Sequence, residues 1–297
     1  MIVFFLPNLR AGGAERVMMT LLKSYTEAHP NENVMLLLGE LSGPLRSEVP
    51  PSVTIESLEA PNAFRSVKPL IRFLKKHQPD ILFSCLGSSV AASVAKWWSR
   101  PKTIVINRLG NTIGAEKQLI KNPIKRTLYI YINRFKAIHS DHIIFQCQYM
   151  AADFIRETAY TPKKYDIIYN PVNVVSIQKA AEELVDTSFS FVAVGRLHPQ
   201  KDYPTLLEAC AILKQRHPDF TLAIIGEGME KEQLLQQTKE LQLEQHVFFL
   251  GHQSNPYPYM KQVKLLVSSS RYEGFSNVII ESLCLGTPVI ATDSPGG

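Results

Sequence analysis

Long apolar runs, paired cysteines and metal-ligand clusters are missing from this sequence of 297 residues. Its apolar segments, such as Ile2 to Leu6, fall far short of the roughly 18 to 20 residues that a membrane-spanning helix needs. The four cysteines are scattered and form no C-x-x-C pair, which argues against a disulfide framework and a zinc site. The first predicted strand follows Met1 directly, so we expect no signal peptide and a cytoplasmic protein that uses no metal or other cofactor.

Two common nucleotide-binding fingerprints are also missing. Gly12 and Gly13 precede a predicted helix, but they belong neither to a G-x-G-x-x-G motif nor to a P-loop with Gly-Lys-Ser/Thr. A nicotinamide-dependent dehydrogenase is therefore not favoured. A glycine pair at a helix start still lets the backbone approach a phosphate closely, although an ordinary strand-to-helix turn has the same sequence.

Charge is distributed unevenly along the chain. Residues 1–172 contain 22 lysines and arginines against 13 acids, a net charge of +9, whereas residues 173–297 contain 10 against 14, a net charge of −4. One basic cluster runs from Lys117 to Lys136 and is interleaved with aromatic and aliphatic residues, as expected of a surface that rests on anionic lipid headgroups. A solvated basic helix face is the alternative, and nucleic acid is not predicted because no recognition motif accompanies the charge.

Short apolar runs alternate with longer helical segments in two series, which predicts parallel sheets made of βαβ units. The predicted strands of the first series are Ile2 to Leu6, Val34 to Leu38, Val53 to Ser57, Ile81 to Ser84, Thr103 to Asn107, His142 to Gln146 and Tyr165 to Ile168. Those of the second are Phe189 to Val194, Thr221 to Ile225, Val247 to Leu250, Leu265 to Ser268 and Val289 to Ala291. We therefore predict domains at 1–172 and 189–297, joined by a connection at 173–188.

Two loops after strands of the second series carry residues that can bind a ligand. Open α/β sheets bind ligands beyond the carboxyl ends of their strands, so these loops are candidate sites. Arg196 and Lys201 lie between a buried strand and the next helix, where together they can neutralise a diphosphate; surface charge is the alternative. Gly195 starts the same loop. Gly226 starts a Gly-Glu-Gly loop against which a ribose or a base can pack, although a plain turn fits as well.

A further loop contains two acids, Glu273 and Glu281, eight positions apart. It is predicted to cap a short helix that starts at Asn277, holds Glu281 about two turns in, and ends at Gly286. A helix N-terminus favours a phosphate, and carboxylates beside it accept hydrogen bonds from sugar or ribose hydroxyl groups. Two solvated acids at the ends of a helix are the alternative interpretation.

The order of these motifs resembles the retaining glycosyltransferases of family GT4, which have the GT-B fold of two Rossmann-like domains. The resemblance covers nearly the whole chain. The matching segments are Gly12 to Arg16, Asp141 to Ile144, Tyr169 to Val172, Gly195 to Leu197 with Lys201, Glu273 with Glu281, and Gly286 to Ala291. It implies an α/β fold with parallel sheets and helices on both faces, an acceptor-binding first domain and a second domain that binds a nucleotide sugar.

The resemblance also implies a role for each matching residue. Arg196 and Lys201 correspond to the pair that holds the donor diphosphate and stabilises the leaving nucleotide, a role that metal ions have in other transferases. Glu273 corresponds to the acid that contacts the donor sugar at its reacting side, and Glu281 to the acid that binds the donor ribose. The other donor-binding positions implied are the loop glycines Gly12, Gly13, Gly195 and Gly226, and the segment Phe275, Ser276, Asn277 and Val278 with its backbone N–H groups.

The sequence departs from the family's pattern at two places. Many members have a histidine after the fifth strand that contacts the donor sugar, whereas this sequence has Arg108 and Asn111 there, and we expect these two residues to take that place, with Arg108 as a donor-binding residue. His139 and His142 are poor substitutes, because His142 opens an apolar strand. The chain also ends in a glycine loop soon after its last predicted strand, so we expect the second domain to be incomplete.

Together these observations predict a metal-independent retaining glycosyltransferase. It would move a sugar from a UDP- or GDP-sugar to a glycan or lipid-linked acceptor of the polysaccharide or lipopolysaccharide type, with peripheral contact at the inner face of the cell membrane. A sugar-nucleotide epimerase on the same fold, which would isomerise its nucleotide sugar without an acceptor, is one alternative. A non-catalytic glycan-binding or scaffold protein is the other.

Overall fold

The computed structural model describes residues 1–10, 12–185 and 189–296. The chain divides into two compact units, Met1–Pro171 and Val172–Gly297, and each is built around its own parallel sheet. Helices cover both faces of each sheet. The α/β fold with two Rossmann-like units that the sequence predicts is confirmed.

The first unit has its strands and helices in regular alternation. Its strands are β1 (Ile2–Leu6), β2 (Val34–Leu38), β3 (Thr54–Ser57), β4 (Ile81–Cys85), β5 (Ile104–Arg108), β6 (His142–Phe145) and β7 (Tyr165–Ile167). Its helices are α1 (Gly13–Ala28), α2 (Ala63–His77), α3 (Ser88–Ser99), α4 (Ile113–Gln118), α5 (Pro123–Ile138) and α6 (Gln148–Thr158), with a short 3-10 helix at Pro44–Glu48. The strands form one sheet in the order β3-β2-β1-β4-β5-β6-β7.

Strand β1 shows why the apolar runs of this unit fold as central parallel strands. Val3 and Phe5 point to one face of the sheet and pack in a core with residues of α2 and α3. Phe4 and Leu6 point to the other face and pack against α1. A strand buried on both faces has no polar side, so its sequence is continuously apolar instead of alternating.

The second unit repeats this plan with a smaller sheet. Its strands are β8 (Phe191–Val194), β9 (Leu222–Ile225), β10 (Val247–Gly251), β11 (Leu265–Ser268) and β12 (Val289–Ala291), in the order β10-β9-β8-β11-β12. Its helices are α7 (Val174–Ala180), α8 (Tyr203–Arg216), α9 (Lys231–Glu240), α10 (Tyr257–Gln262) and α11 (Asn277–Cys284). One core lies between the sheet and helices α8 and α9, and the other lies on the face of α10 and α11.

The segment 173–188, predicted as the connection between domains, contains α7. The helix is capped by Asn173, whose side chain accepts a hydrogen bond of 3.0 Å from the Ser176 N–H. It is held to the second unit by Gln178, whose side-chain amide donates to the Cys284 carbonyl at 3.2 Å. Only Ile177 of this short helix is buried, so its sequence lacks the periodic apolar pattern of a longer helix. Residues 186–188 lie outside the described residues.

None of the helices among the described residues is both long enough and apolar enough to cross a membrane.

Candidate functional site

The sheet of the second unit reverses its strand order between β8 and β11. Strands β9 and β10 lie on one side of this point and β12 lies on the other. In open parallel sheets such a reversal leaves a crevice beyond the carboxyl ends of the two central strands, because the crossover helices leave from opposite faces. The loop after β8 carries Arg196 and Lys201, and the loop after β11 carries Glu273. The fold therefore brings the three predicted catalytic residues to one edge of one sheet.

Glu273 is a buried carboxylate with several partners. Only 6% of the residue is exposed, and its Oε1 lies 2.6 Å from the ammonium nitrogen of Lys201. The Ser270 hydroxyl donates to the same oxygen at 2.6 Å, and the Gln200 side-chain amide lies 3.4 Å from Oε2. A buried ion pair is stable only when additional hydrogen bonds compensate for lost hydration, and Ser270 and Gln200 supply them here. The carboxylate is thus held in one place.

The backbone around the ion pair is fixed as well. The Glu273 N–H donates to the Pro295 carbonyl at 2.8 Å, and the Thr292 hydroxyl donates to the Ser270 carbonyl at 2.6 Å. The Ser269 hydroxyl joins this loop to the loop after β8, since it donates to the Lys201 carbonyl at 2.7 Å. The sequence analysis assigned Lys201 to a diphosphate and Glu273 to a sugar. It did not predict that the two side chains bind each other, nor that Ser270 and Gln200 hold the carboxylate.

Arg196 lies on the same loop as Lys201 but has a different environment. Arg196 is exposed to solvent, whereas only 18% of the surface of the Lys201 side chain is exposed. Burial lowers the pKa of the neighbouring His198, and the positive charge of Arg196 lowers it further. His198 is therefore biased towards its neutral form, with Nδ1 accepting a hydrogen bond of 3.2 Å from the Gln200 N–H. Arg196 therefore contributes a solvent-exposed cation on the loop that also carries the fixed cation of Lys201.

The glycine loops after β8 and β9 pack directly on each other. A Cβ atom at Gly226 would lie 1.9 Å from the carbonyl oxygen of Gly195, so only glycine fits at this contact. The Tyr203 hydroxyl donates to the same Gly195 carbonyl at 3.1 Å. Burial raises the pKa of Tyr203 well above its usual value, and the charge of Glu273 adds to this effect. Gly195 and Gly226 thus border the carboxyl edge where Lys201 and Glu273 lie.

Helix α11 begins at Asn277, four residues after Glu273. Ser276 is its N-cap residue and is buried, while Phe275, Asn277 and Val278 are half-buried. Glu281 is the fifth residue of the helix, one turn in instead of the predicted two, and is half-buried. The first-turn N–H groups of this helix therefore follow Glu273 closely along the chain. Free N–H groups at the start of a helix favour an anion.

In the first unit, Gly12 and Gly13 open helix α1. Gly12 is the N-cap residue, and Gly13 is the first helical residue. The Glu15 carboxylate folds back over this turn, since a Cβ at Gly12 would lie 2.5 Å from its Oε2. The roles of Gly12 and Gly13 in donor binding stay predictions.

Arg108 is the last residue of β5 and is almost fully buried, with 3% of its surface exposed. One amino group of the guanidinium, Nη2, donates to the side-chain oxygen of Asn170. The other, Nη1, is buried and has no hydrogen-bond partner among the described residues. Burial lowers the pKa of Arg108. A buried charge without a partner is unfavourable, so an anion that bound to Nη1 would stabilise the Arg108 guanidinium.

Helix α5 exposes an apolar stripe next to basic side chains. Ile124, Leu128 and Tyr131 recur at the spacing of one helix face and are 77%, 56% and 62% exposed. Lys125 and Arg126 lie between Ile124 and Leu128 along the chain and are exposed as well, and the Arg126 guanidinium donates to the Ile120 carbonyl at 3.0 and 3.2 Å. An exposed apolar stripe on a helix that also carries exposed basic residues is typical of a helix that lies in a membrane interface.

Within the described residues, no group of three or more histidine, cysteine, aspartate or glutamate side chains is arranged to hold a metal ion.

Two family profiles match this chain in succession. The profile described as Glycosyltransferase Family 4 matches residues 11–175, and the profile described as Glycosyl transferases group 1 matches residues 175–297.

Curated relatives include two bacterial transferases. The N-acetylgalactosamine-N,N'-diacetylbacillosaminyl-diphospho-undecaprenol 4-alpha-N-acetylgalactosaminyltransferase of Campylobacter jejuni is 31% identical, with coverage of 99% of this chain and 80% of the relative. The lipopolysaccharide 1,6-galactosyltransferase of Salmonella typhimurium is also 31% identical, but over 44% of this chain and 37% of the relative.

Among solved structures, the structure of HepE from Anabaena in complex with UDP and glucose is similar to this chain. The match covers 100% of this chain and 82% of the HepE chain, with a TM-score of 0.77 and 21% sequence identity. At this identity the likeness shows the fold.

Proposed function

The chain belongs to glycosyltransferase family 4, and on that basis we propose that it transfers a sugar from a UDP- or GDP-sugar to a lipid-linked or lipopolysaccharide-type acceptor. The observation that carries the proposal is the fixed Lys201–Glu273 pair at the strand-order reversal of the second unit. The names of the relatives support the acceptor class, since one acts on a diphospho-undecaprenol-linked sugar and the other on lipopolysaccharide. The structural neighbour crystallised with UDP and glucose supports a nucleotide-sugar donor.

In the proposed site, the leaving nucleoside diphosphate is stabilised by Arg196 and Lys201. Departure of a diphosphate places negative charge on the β-phosphate, and a preorganised cation in a water-poor site lowers the barrier more than one in water. Lys201 is such a cation, because Glu273 binds its ammonium group and the Ser269 hydroxyl binds its backbone carbonyl. Two cations at this point supply the charge that a metal ion supplies elsewhere, so we propose a metal-independent reaction.

The acids of the site bind the hydroxyl groups of the donor. We assign Glu273 to the donor sugar at its reacting side, where a fixed carboxylate stabilises the positive charge that develops at the anomeric carbon in a retaining reaction. We assign Glu281 to the ribose. The N–H groups at the start of α11, from Ser276 to Val278, are assigned to the phosphate.

Replacing Arg196 with alanine is expected to weaken UDP binding by about 10- to 100-fold, the range for loss of a charge-assisted hydrogen bond. Because Arg196 is exposed, the melting temperature without ligand should stay unchanged. Isothermal titration calorimetry with UDP and thermal unfolding measure the two effects. Arg216→Ala is the matched control, since it removes an exposed arginine from the far end of α8. Equal UDP affinity in wild type and Arg196→Ala would refute the assignment.

We also propose that the face of α5 rests on an anionic membrane, which would bring a lipid-linked acceptor to the enzyme. Each basic residue close to such a surface contributes about 1 kcal/mol, so reversing two charges with Lys125→Glu and Arg126→Glu should weaken binding by tenfold or more. Flotation with vesicles of phosphatidylglycerol and phosphatidylcholine measures this. Lys163→Glu with Lys164→Glu makes the same charge change at exposed positions elsewhere and serves as control. If both double variants bind vesicles equally, net charge and not the α5 face is responsible.

A further inference from the structure

Buried polar atoms without partners are concentrated at one edge of the first unit. Of the eight side-chain nitrogen and oxygen atoms of the described residues that are buried and lack a hydrogen-bond partner, five lie at the start of α3, which follows β4, or at the end of β5 and on the loop after it. They are Ser88 Oγ, Ser89 Oγ, Arg108 Nη1, Asn111 Oδ1 and Thr112 Oγ1. A folded protein normally pairs such atoms, because burial without a partner is unfavourable. Their concentration at one place indicates a ligand.

The fold explains why these atoms lie together. Strands β4 and β5 are parallel neighbours, with Cys85 opposite Arg108, so their carboxyl ends open on the same edge of the sheet. The loops beyond them adjoin, since a Cβ at Gly110 would lie 3.4 Å from Cδ2 of Leu86. Gly87 lies on this edge, is exposed, and has room for a Cβ with no described atom within 4 Å. Solvent therefore reaches this edge at Gly87, directly beside the buried Ser88.

The chemistry of the set selects an anion. Helix α3 begins at Ser88 with twelve residues and a glycine cap, so its dipole and first-turn N–H groups favour negative charge. Ser88 and Ser89 are 2% and 1% exposed and add hydroxyl donors. The Arg108 guanidinium adds a full positive charge. It lies near Cys85, because burial raises the pKa of the Cys85 thiol to about 12 and the charge of Arg108 opposes that rise. These groups match the oxygens of a phosphate or a carboxylate.

One atom of the set requires more than a bare anion. Asn111 Oδ1 is a buried amide oxygen that can only accept a hydrogen bond. It is suited to a hydroxyl or N–H donor placed beside the anionic group of a ligand. A sugar that carries a phosphate or a carboxylate offers both kinds of group.

We infer that the carboxyl edge of β4 and β5, with Ser88, Ser89 and Arg108, binds a phosphorylated or carboxylated sugar of the acceptor. This moves Arg108 from the predicted donor contacts to the acceptor contacts. The assignment of the ligand to the acceptor rests on the proposed transferase function, whereas anion binding by this edge does not.

The test uses the full chain carrying Arg196→Ala, Lys201→Met and Glu273→Gln, which removes the charges of the proposed diphosphate site without leaving Glu273 buried as an unpaired ion. Calorimetry with N-acetylglucosamine 1-phosphate, glucuronic acid and glucose compares a phosphorylated, a carboxylated and a neutral sugar. We expect one charged sugar to bind at least about tenfold more tightly than glucose, and the sugar that does so identifies the source of the anion. In this background, Ser88→Ala with Ser89→Ala should reduce that affinity about tenfold, and Ser99→Ala should not.

Ser99 is the matched control because it lies in the same helix and its hydroxyl donates to the Ala95 carbonyl at 2.7 Å. Without ligand, the Ser88→Ala/Ser89→Ala protein should melt at the same or a higher temperature than its parent, since it loses two unpaired buried hydroxyls. Charged sugars that bind no better than glucose, an unchanged affinity of the serine variant, or a lowered melting temperature would each overturn the inference. UDP binding to the wild-type chain tests the donor site separately.

Discussion

Replacing Lys201 with methionine is expected to slow sugar transfer by about 100- to 1,000-fold, the loss that follows removal of one preorganised charge-stabilising group. Methionine keeps the apolar stem of the side chain and removes only the ammonium group. The same change leaves Glu273, whose side chain is 8% exposed, buried without its counter-charge. We therefore also expect the free energy of unfolding of the second unit to fall by about 3 to 5 kcal/mol. A transfer assay and urea denaturation measure the two effects.

The double variant Lys201→Met/Glu273→Gln separates the structural role of the pair from its catalytic role. Removing both charges avoids an unpaired buried ion, so most of the lost stability should return while the transfer rate stays low. Lys231→Met is the matched control. Lys231 pairs with Glu227 at 2.8 Å, but both side chains are more than 40% exposed, so its loss should change stability by less than about 1 kcal/mol. A double variant that regains the transfer rate together with stability would show that the pair only supports the fold.

Replacing Gly226 with alanine is expected to destabilise the second unit by about 3 kcal/mol or more and to abolish UDP binding. Gly226 has a φ of +150°, and an added Cβ would lie 1.9 Å from the Gly195 carbonyl oxygen and 2.8 Å from its carbonyl carbon. Both contacts are with backbone, so relief requires the loops after β8 and β9 to move apart. Those loops border the Lys201–Glu273 pair. Urea denaturation and calorimetry with UDP measure the result.

Gly286→Ala is the control for this prediction. Gly286 also has a left-handed backbone, with a φ of +76°, but a Cβ there meets no described atom within 4 Å. Alanine at this position should reduce the free energy of unfolding by only about 1 to 2 kcal/mol, the conformational term alone. Equal destabilisation by the two substitutions would contradict the close packing of the glycine loops.

The strands of both units could be predicted from the sequence because each is a short apolar run bounded by turn residues. Strand β1 occupies the predicted residues, and β8 begins at Phe191, two residues after the predicted start. A strand buried on both faces needs an apolar residue at every position, so its sequence contains the signal in itself. Helix α7 escaped prediction because its seven residues bury only Ile177.

The arrangement of the site could be predicted only in part. The charged residues stand out in sequence because they follow apolar strands directly. Their pairing depends on β8 and β11 being neighbours, which no local pattern encodes, since Lys201 and Glu273 are 72 positions apart. The resemblance to a family supplied roles for both residues but not the contact between them. Ser88 and Ser89 had no signal at all, because small polar residues at a helix start are common.

The fate of a radiolabelled sugar tests the proposed transfer most directly. The protein is incubated in EDTA with labelled UDP- and GDP-sugars and a lipid extract that contains polyprenyl diphosphate-linked glycans, and label in the lipid phase is compared with that of Lys201→Met. We predict that one nucleotide sugar transfers its label to lipid in wild type, with the anomeric configuration of the donor retained, and that Lys201→Met does not. Label recovered in an isomerised nucleotide sugar without any acceptor, or in unchanged donor for every sugar, would contradict the account.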